Sequence, residues 1–263
     1  MNKRKHKINF FKKADKSVLT STDEKTSFII EKNTSFHIIE AYKAARTNIM
    51  FSLMDNKGCK VIIFTSAIPA EGKSTTCVNT AITFAQTGAK VLLVDADLRC
   101  PRVHKYLHIE NVNGLSNVLG GFASLAEVIN TDADHGFDYI TAGHIPPNPA
   151  ELLLSDQMKQ MLNILAQRYE YIFLDMPPVT VVTDAATVAS FATGVAMVVR
   201  ENYTPHPVLK NALVALKMAN AKILGFILTD ADEVGYSYKD KYGKYKYKYK
   251  YGYRYGNRYG DYA

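Results

Sequence analysis

Hydrophobic and polar positions along this chain change rhythm at Gly58. Before it, Phe36, Ile39, Ala44, Ile49 and Leu53 recur near the helical repeat, with Ser35 placed to cap the start. After it, short β-branched runs follow one another: K-V-I-I-F-T-S (60–66), K-V-L-L-V-D (90–95), F-D-Y-I-T-A (137–142), Y-I-F-L-D (171–175), G-V-A-M-V-V-R (194–200) and I-L-G-F-I-L (223–228). Amphipathic stretches between them predict helices near 73–87, 151–168, 183–191 and 207–219. Apolar strands alternating with helices imply an α/β fold, a mostly parallel sheet with helices on both faces. Ligands of such sheets sit beyond the carboxyl ends of the strands. Residues 1–35, polar and rich in Lys, Ser and Thr, read as a flexible basic arm, and 36–234 as the domain. Residues 235–263 read as a disordered Tyr-rich tail, because a segment almost without aliphatic side chains cannot offset its chain entropy by burial.

Charge sharpens that division. Of a formal net charge of +7, residues 1–16 and 235–263 each carry +6, which leaves −5 on the body. A faintly acidic body with basic ends is not built to grip duplex nucleic acid. Cys59, Cys77 and Cys100 lack metal or redox spacing and read as reduced cytosolic thiols, Cys77 as a small buried apolar residue. The start M-N-K-R-K-H-K-I-N-F-F-K-K has no apolar stretch after its charges, so it is not a signal peptide. No uninterrupted apolar run approaches the roughly 18–20 residues that span a bilayer.

Candidate chemistry lies at strand ends. Strand 60–66 leads into A-I-P-A-E-G-K-S-T-T (67–76) and then a helix, the context of a phosphate-binding loop. Ala70, Glu71, Gly72, Lys73, Ser74 and Thr75 are its candidate cradle, with Lys73 reaching the terminal phosphates and the Ser74 hydroxyl on Mg²⁺. Ala67 stands where the usual pattern has its first glycine. Asp95 and Asp97 end one strand and Asp175 another, giving the carboxylates a Mg²⁺–nucleotide site needs. Pro177 and Pro178 stiffen the turn that aims Asp175. Eleven of the seventeen tyrosines fall between Tyr236 and Tyr262, too many and too polar in setting for packing.

T-S-A-I-P-A-E-G-K-S-T, L-L-V-D-A-D-L-R-C-P-R and Y-I-F-L-D-M-P-P resemble the Walker A, Walker A′ and Walker B motifs of the bacterial protein-tyrosine kinases (BY-kinases). The tyrosine cluster resembles that family's autophosphorylation substrate, and the likeness runs from about Glu40 to the end. It implies a P-loop NTPase fold and an ATP- and Mg²⁺-dependent kinase of its own tail, with Tyr242, Tyr245, Tyr247, Tyr249, Tyr251, Tyr253, Tyr255, Tyr259 and Tyr262 as acceptors. It implies a role in capsular or exopolysaccharide synthesis, a cytoplasmic location and recruitment to the inner face of the membrane by a membrane-embedded activator. A homo-oligomeric ring when unphosphorylated and a cognate tyrosine phosphatase are further expectations.

Carried over by residue, Lys73 stabilises the transferring phosphate, and Ser74, Asp95 and Asp175 organise Mg²⁺. Asp95 or Asp97 accepts the tyrosine proton, and Arg99 supports the A′ loop. Glu40, Lys43 and Arg46 match the family's E-x₂-R-x₂-R oligomerisation motif, with Lys43 in place of an arginine and so without its bidentate geometry. Thr229 and Asp230 stand where the adenine-side asparagine is usual, and Arg200 is assigned to the adenine. Lys73→Met is expected to abolish phosphotyrosine and leave the fold intact, the loop being at the surface. Two rivals are a partition-type ATPase switch and an arm for single-stranded nucleic acid or polysaccharide. The first carries a lysine near the start of its loop, where this chain has Ile68; the second leaves the nucleotide site without a purpose.

Overall fold

Each apolar run after Gly58 becomes a strand, and the strands share one sheet. The computed structural model describes residues 29–231 and the backbone of Tyr236–Ser237 and Lys248–Tyr249, which pair antiparallel. The expectations for residues 1–28 and for the side chains of the nine acceptor tyrosines lie outside the described residues.

In chain order the elements are α1 (Phe36–Ser52), β1 (Lys60–Ser66), α2 (Lys73–Ala85), β2 (Val91–Asp95), α3 (Val103–Tyr106), α4 (Leu115–Leu119), α5 (Leu125–Val128), β3 (Asn130–Asp132), β4 (Phe137–Ile140), α6 (Pro149–Leu154), α7 (Asp156–Leu165), β5 (Tyr171–Asp175), α8 (Asp184–Val188), β6 (Gly194–Arg200), α9 (His206–Met218) and β7 (Ile223–Thr229). The sheet order is β3-β4-β2-β5-β1-β6-β7. All neighbours are parallel except β3, which runs antiparallel to β4 at one edge.

The central strands are apolar on both sides because both sides are covered. Val61, Ile63, Leu92, Val94, Ile172 and Leu174 face one layer, with Leu153, Met158, Leu162, Val188 and Leu216 of α6–α9. Ile62, Phe64, Leu93 and Phe173 face the other, with Val78, Ile82 and Phe84 of α2 and Ile49 of α1. There Phe173 meets Phe64 and Phe84 edge-on at ring separations of 5.5 and 5.1 Å, the offset arrangement that ring quadrupoles favour. Cys77 is fully buried in this layer, as expected of a small apolar residue.

Several expectations change. The body begins before Phe36, since Ile29 and Ile30 are buried in the α2 layer. Ile30 is pinned there by the Asn79 side chain at 2.8 Å and by His135 Nε2 on its carbonyl at 3.2 Å. Ser35 takes the cap position of α1 without a side-chain bond. The stretch 151–168 is two helices, because Ser155 leaves helical geometry and caps α7 through Met158 N–H at 3.2 Å. Among the described residues no helix is long and apolar enough to cross a membrane.

Candidate active site

β1 ends at Ser66, and the chain turns through 67–72 into α2. Two residues of the turn are left-handed, Ala70 at φ 66° and Gly72 at φ 80°. Glycine tolerates this, and a Cβ at position 72 would also meet the Thr229 methyl at 3.4 Å. Ala70 bears the steric cost, roughly 1–2 kcal/mol. α2 begins with neither a side-chain cap nor an acidic residue in its first turn. Its leading N–H groups and positive dipole end therefore suit an anionic guest.

Lys73, the first residue of α2, is only 9% exposed. Its ammonium lies 2.9 Å from Asp175 Oδ1 and 3.2 Å from Asp97 Oδ2, and it donates to Ser74 Oγ at 3.2 Å. Asp175 ends β5 and Asp95 ends β2 in register beside it. The buried Asp95 accepts the N–H groups of Arg102 and Val103 at 3.1 and 3.0 Å and that of Asp97 at 3.3 Å, which shapes the A′ turn and starts α3. Burial, reinforced by the nearby Asp175, pushes the Asp95 carboxyl up to about 8. Burial raises Asp175 as well, against the pull of Lys73. The same burial disfavours the Lys73 charge, yet Asp175 and Asp97 outweigh it and hold the ammonium above its usual range. One cation thus serves three crowded carboxylates.

Magnesium suits this donor set. Asp175 Oδ2 is buried with no hydrogen-bond partner, and the Ser74 hydroxyl lies beside the same ammonium as Asp175 Oδ1, 3.2 Å from Lys73 Nζ. Among the described residues no three His, Cys, Asp or Glu side chains form a metal cage. An ion that keeps most of its waters and takes a hydroxyl and one or two carboxylates needs no cage.

Arg99 grips Asp184 with both arms, Nε at 2.7 Å and Nη2 at 3.1 Å, tying the A′ segment to the start of α8. Asp184 was not singled out in the sequence; the T-D pair opening the helix after Pro178 was the available signal. Arg200 lies beside the loop, Nη1 3.5 Å from the Ala70 carbonyl, with its guanidinium on Asp230 at 2.7 and 2.9 Å and over the Tyr203 ring. Glu71 turns its carboxylate inward, away from the cradle. Thr75 continues the first turn of α2. Glu40, Lys43 and Arg46 stand apart from this site on α1, where Lys43 pairs with Glu40 at 2.8 Å and Arg46 donates to the Thr83 carbonyl of α2 at 2.6 Å.

A phosphate loop between β1 and α2, backed by aspartates at the ends of β2 and β5, places the molecule among the P-loop nucleotide-binding proteins. The family model described as an AAA domain matches residues 59–203, more than half of the chain. The tyrosine-protein kinase YwqD of Bacillus subtilis is 40% identical over 202 residues, 75% of this chain and 85% of that protein. The tyrosine-protein kinase Wzc of Salmonella typhimurium is 34% identical over 209 residues, which span 80% of this chain but 29% of that longer protein. The solved kinase domain of the Escherichia coli tyrosine kinase ETK superposes with a TM-score of 0.69 at 34% identity, covering 77% of this chain and 80% of that one. The chain belongs to the bacterial tyrosine-protein kinase family. It is an ATP-binding protein-tyrosine kinase and not a partition-type switch.

Proposed function

We propose that the chain transfers the γ-phosphoryl group of ATP to Tyr242, Tyr245, Tyr247, Tyr249, Tyr251, Tyr253, Tyr255, Tyr259 and Tyr262 of a neighbouring copy. The observation that carries this reading is the Lys73–Asp97–Asp175 cluster beside a phosphate loop, in a chain that ends in a tyrosine run. The N–H groups of Ala70–Thr75 and the start of α2 hold the phosphates. Lys73 leaves part of its carboxylate pairing to follow the charge of the transferring group. Ser74, Asp175 and Asp95 would hold Mg²⁺, which when bound would supply neutralisation of the phosphate charge. The tyrosine oxygen forms its bond to γ-phosphorus as the bond to the ADP oxygen breaks, and a carboxylate takes the phenolic proton. Asp97 suits that last role better than Asp95. One of its oxygens accepts the Cys100 N–H at 3.0 Å, but the other meets only the Lys73 ammonium, which can follow the phosphate. By contrast, both oxygens of the fully buried Asp95 accept backbone N–H groups. Arg99, fixed by Asp184, holds the A′ turn that carries both.

Transfer in trans rests on charge. A +6 tail is drawn to a −5 body. Each phosphate adds about −1.5 to −2 near neutral pH, so three or four cancel the tail's charge and loosen the assembly. Glu40, Lys43 and Arg46 on α1 are the proposed contacts of that ring. The family resemblance supports service to capsular or exopolysaccharide synthesis, a cytoplasmic location, recruitment by a membrane-embedded activator and reversal by a tyrosine phosphatase. The test mixes an Asp97→Asn chain bearing its tail with an active chain truncated after Val234. Phosphotyrosine on the Asp97→Asn tail is the expected result; an unlabelled tail beside an assembled mixture refutes trans transfer.

A further inference from the structure

Glu71 belongs to the phosphate loop but makes its bonds elsewhere. The residue is 1% exposed. Oε2 accepts the Ile68 N–H at 2.7 Å, which closes the loop on itself. Oε1 accepts the N–H of Arg200, the last residue of β6, at 3.3 Å and the hydroxyl of Thr204, in the segment that joins β6 to α9. The backbone carbonyl of the same residue accepts the Thr229 hydroxyl at 2.8 Å, at the end of β7. Loop closure needs only the Ile68 bond. The remaining three reach the ends of two strands that contribute no residue to the phosphate cradle. A carboxylate buried this deeply costs several kcal/mol unless its lone pairs are met, so the arrangement is held only while those partners stay in place.

We propose that Glu71 is a positioning residue that couples the two ends of the nucleotide site. It locks the N–H groups of the phosphate loop to the Arg200–Thr204 segment, so that a change in that segment is felt by the phosphates even when no base is bound. This rests on reading 67–76 as the phosphate loop and the Arg200 side as the base side. The Thr204 hydroxyl is the link that can be cut without touching the cradle.

The experiment measures binding of magnesium pyrophosphate and of magnesium ADP to the full chain by titration calorimetry, for wild type, Thr204→Val and Thr204→Ser. Pyrophosphate has no base, so it reports only on the loop. A lost hydrogen bond to a buried charge predicts about tenfold weaker pyrophosphate binding in Thr204→Val, with ADP weakened by a similar factor. Thr204→Ser keeps the hydroxyl and is expected within about twofold of wild type, which a role in packing the threonine methyl would not give. Unchanged pyrophosphate affinity in folded Thr204→Val overturns the inference, whether ADP binding falls or holds. Should Thr204→Val not fold, Glu71→Gln carries the same test. Its amide puts a donor against a backbone N–H, and pyrophosphate and ADP should weaken together. Wild-type protein that binds neither ligand would instead refute the reading of the site itself.

Discussion

Replacing Lys73 by methionine should cost stability as well as activity, contrary to what a surface loop would allow. Lys73 is 9% exposed, and its ammonium lies within 3.2 Å of two carboxylates, with Asp95 nearby. Removing one partner of a buried ion pair typically costs about 3–5 kcal/mol, a large share of the roughly 5–15 kcal/mol that holds a domain together. Methionine fills much the same volume, so the loss is electrostatic. Its pH dependence follows from the shifted carboxyls. Asp95, raised to about 8, keeps a proton in the native state that the unfolded chain has already lost, so stability falls as pH rises from the ordinary carboxylate range through about 8. Lys73, held above its usual range, stays charged across that window and limits the fall in wild type. Without it the carboxyls bind protons more tightly still and the slope steepens. Urea unfolding of nucleotide-free, Mg²⁺-free protein checks this. The Met variant should be weaker by about 3–5 kcal/mol near pH 8.5, with a smaller deficit near pH 5, where protons replace the missing cation. Equal midpoints near pH 8.5 would refute the claim that these carboxylates depend on one ammonium.

Asp97→Asn should lower the transfer rate by about a hundredfold or more while leaving the urea midpoint unchanged or higher, because it removes one of three crowded negative charges. Asp184→Ala should cost about 1 kcal/mol, because the Arg99 side chain is 39% exposed and is hydrated once freed, and should lower kcat by loosening the A′ turn, with Asp184→Asn milder because one acceptor remains. Ala70→Gly should raise stability by up to about 1 kcal/mol, since φ 66° suits glycine, and a lower melting temperature would contradict that strain.

The sheet was legible in the sequence because its strands are apolar on both sides and end in chemistry: 60–66 in the phosphate loop, 90–95 and 171–175 in aspartates. Short elements were not. α3 starts where Asp95 collects the Arg102 and Val103 N–H groups, a contact no local periodicity encodes. The apolar pair Ile29–Ile30 gave a signal, but a polar context outweighed it until Asn79 and His135, distant in sequence, supplied partners. Ser155 before Asp156 carried an N-cap signal within a stretch whose apolar spacing suggested one helix. At Glu71, residue type could not say whether the carboxylate faced the cradle or the protein. Lys73 misled on stability for a related reason, since a loop motif tells which groups meet a phosphate and not how far water is excluded from them.

Peptide mass mapping of full-length, phosphatase-treated protein incubated with ATP and Mg²⁺ tests the kinase account most directly. It should find phosphotyrosine within 242–262, with one ADP formed per phosphate gained, and about a hundredfold less, or lower still, in folded Asp97→Asn over the same time. ATP consumed to ADP and free phosphate by wild type, with the tail unmodified, would contradict it.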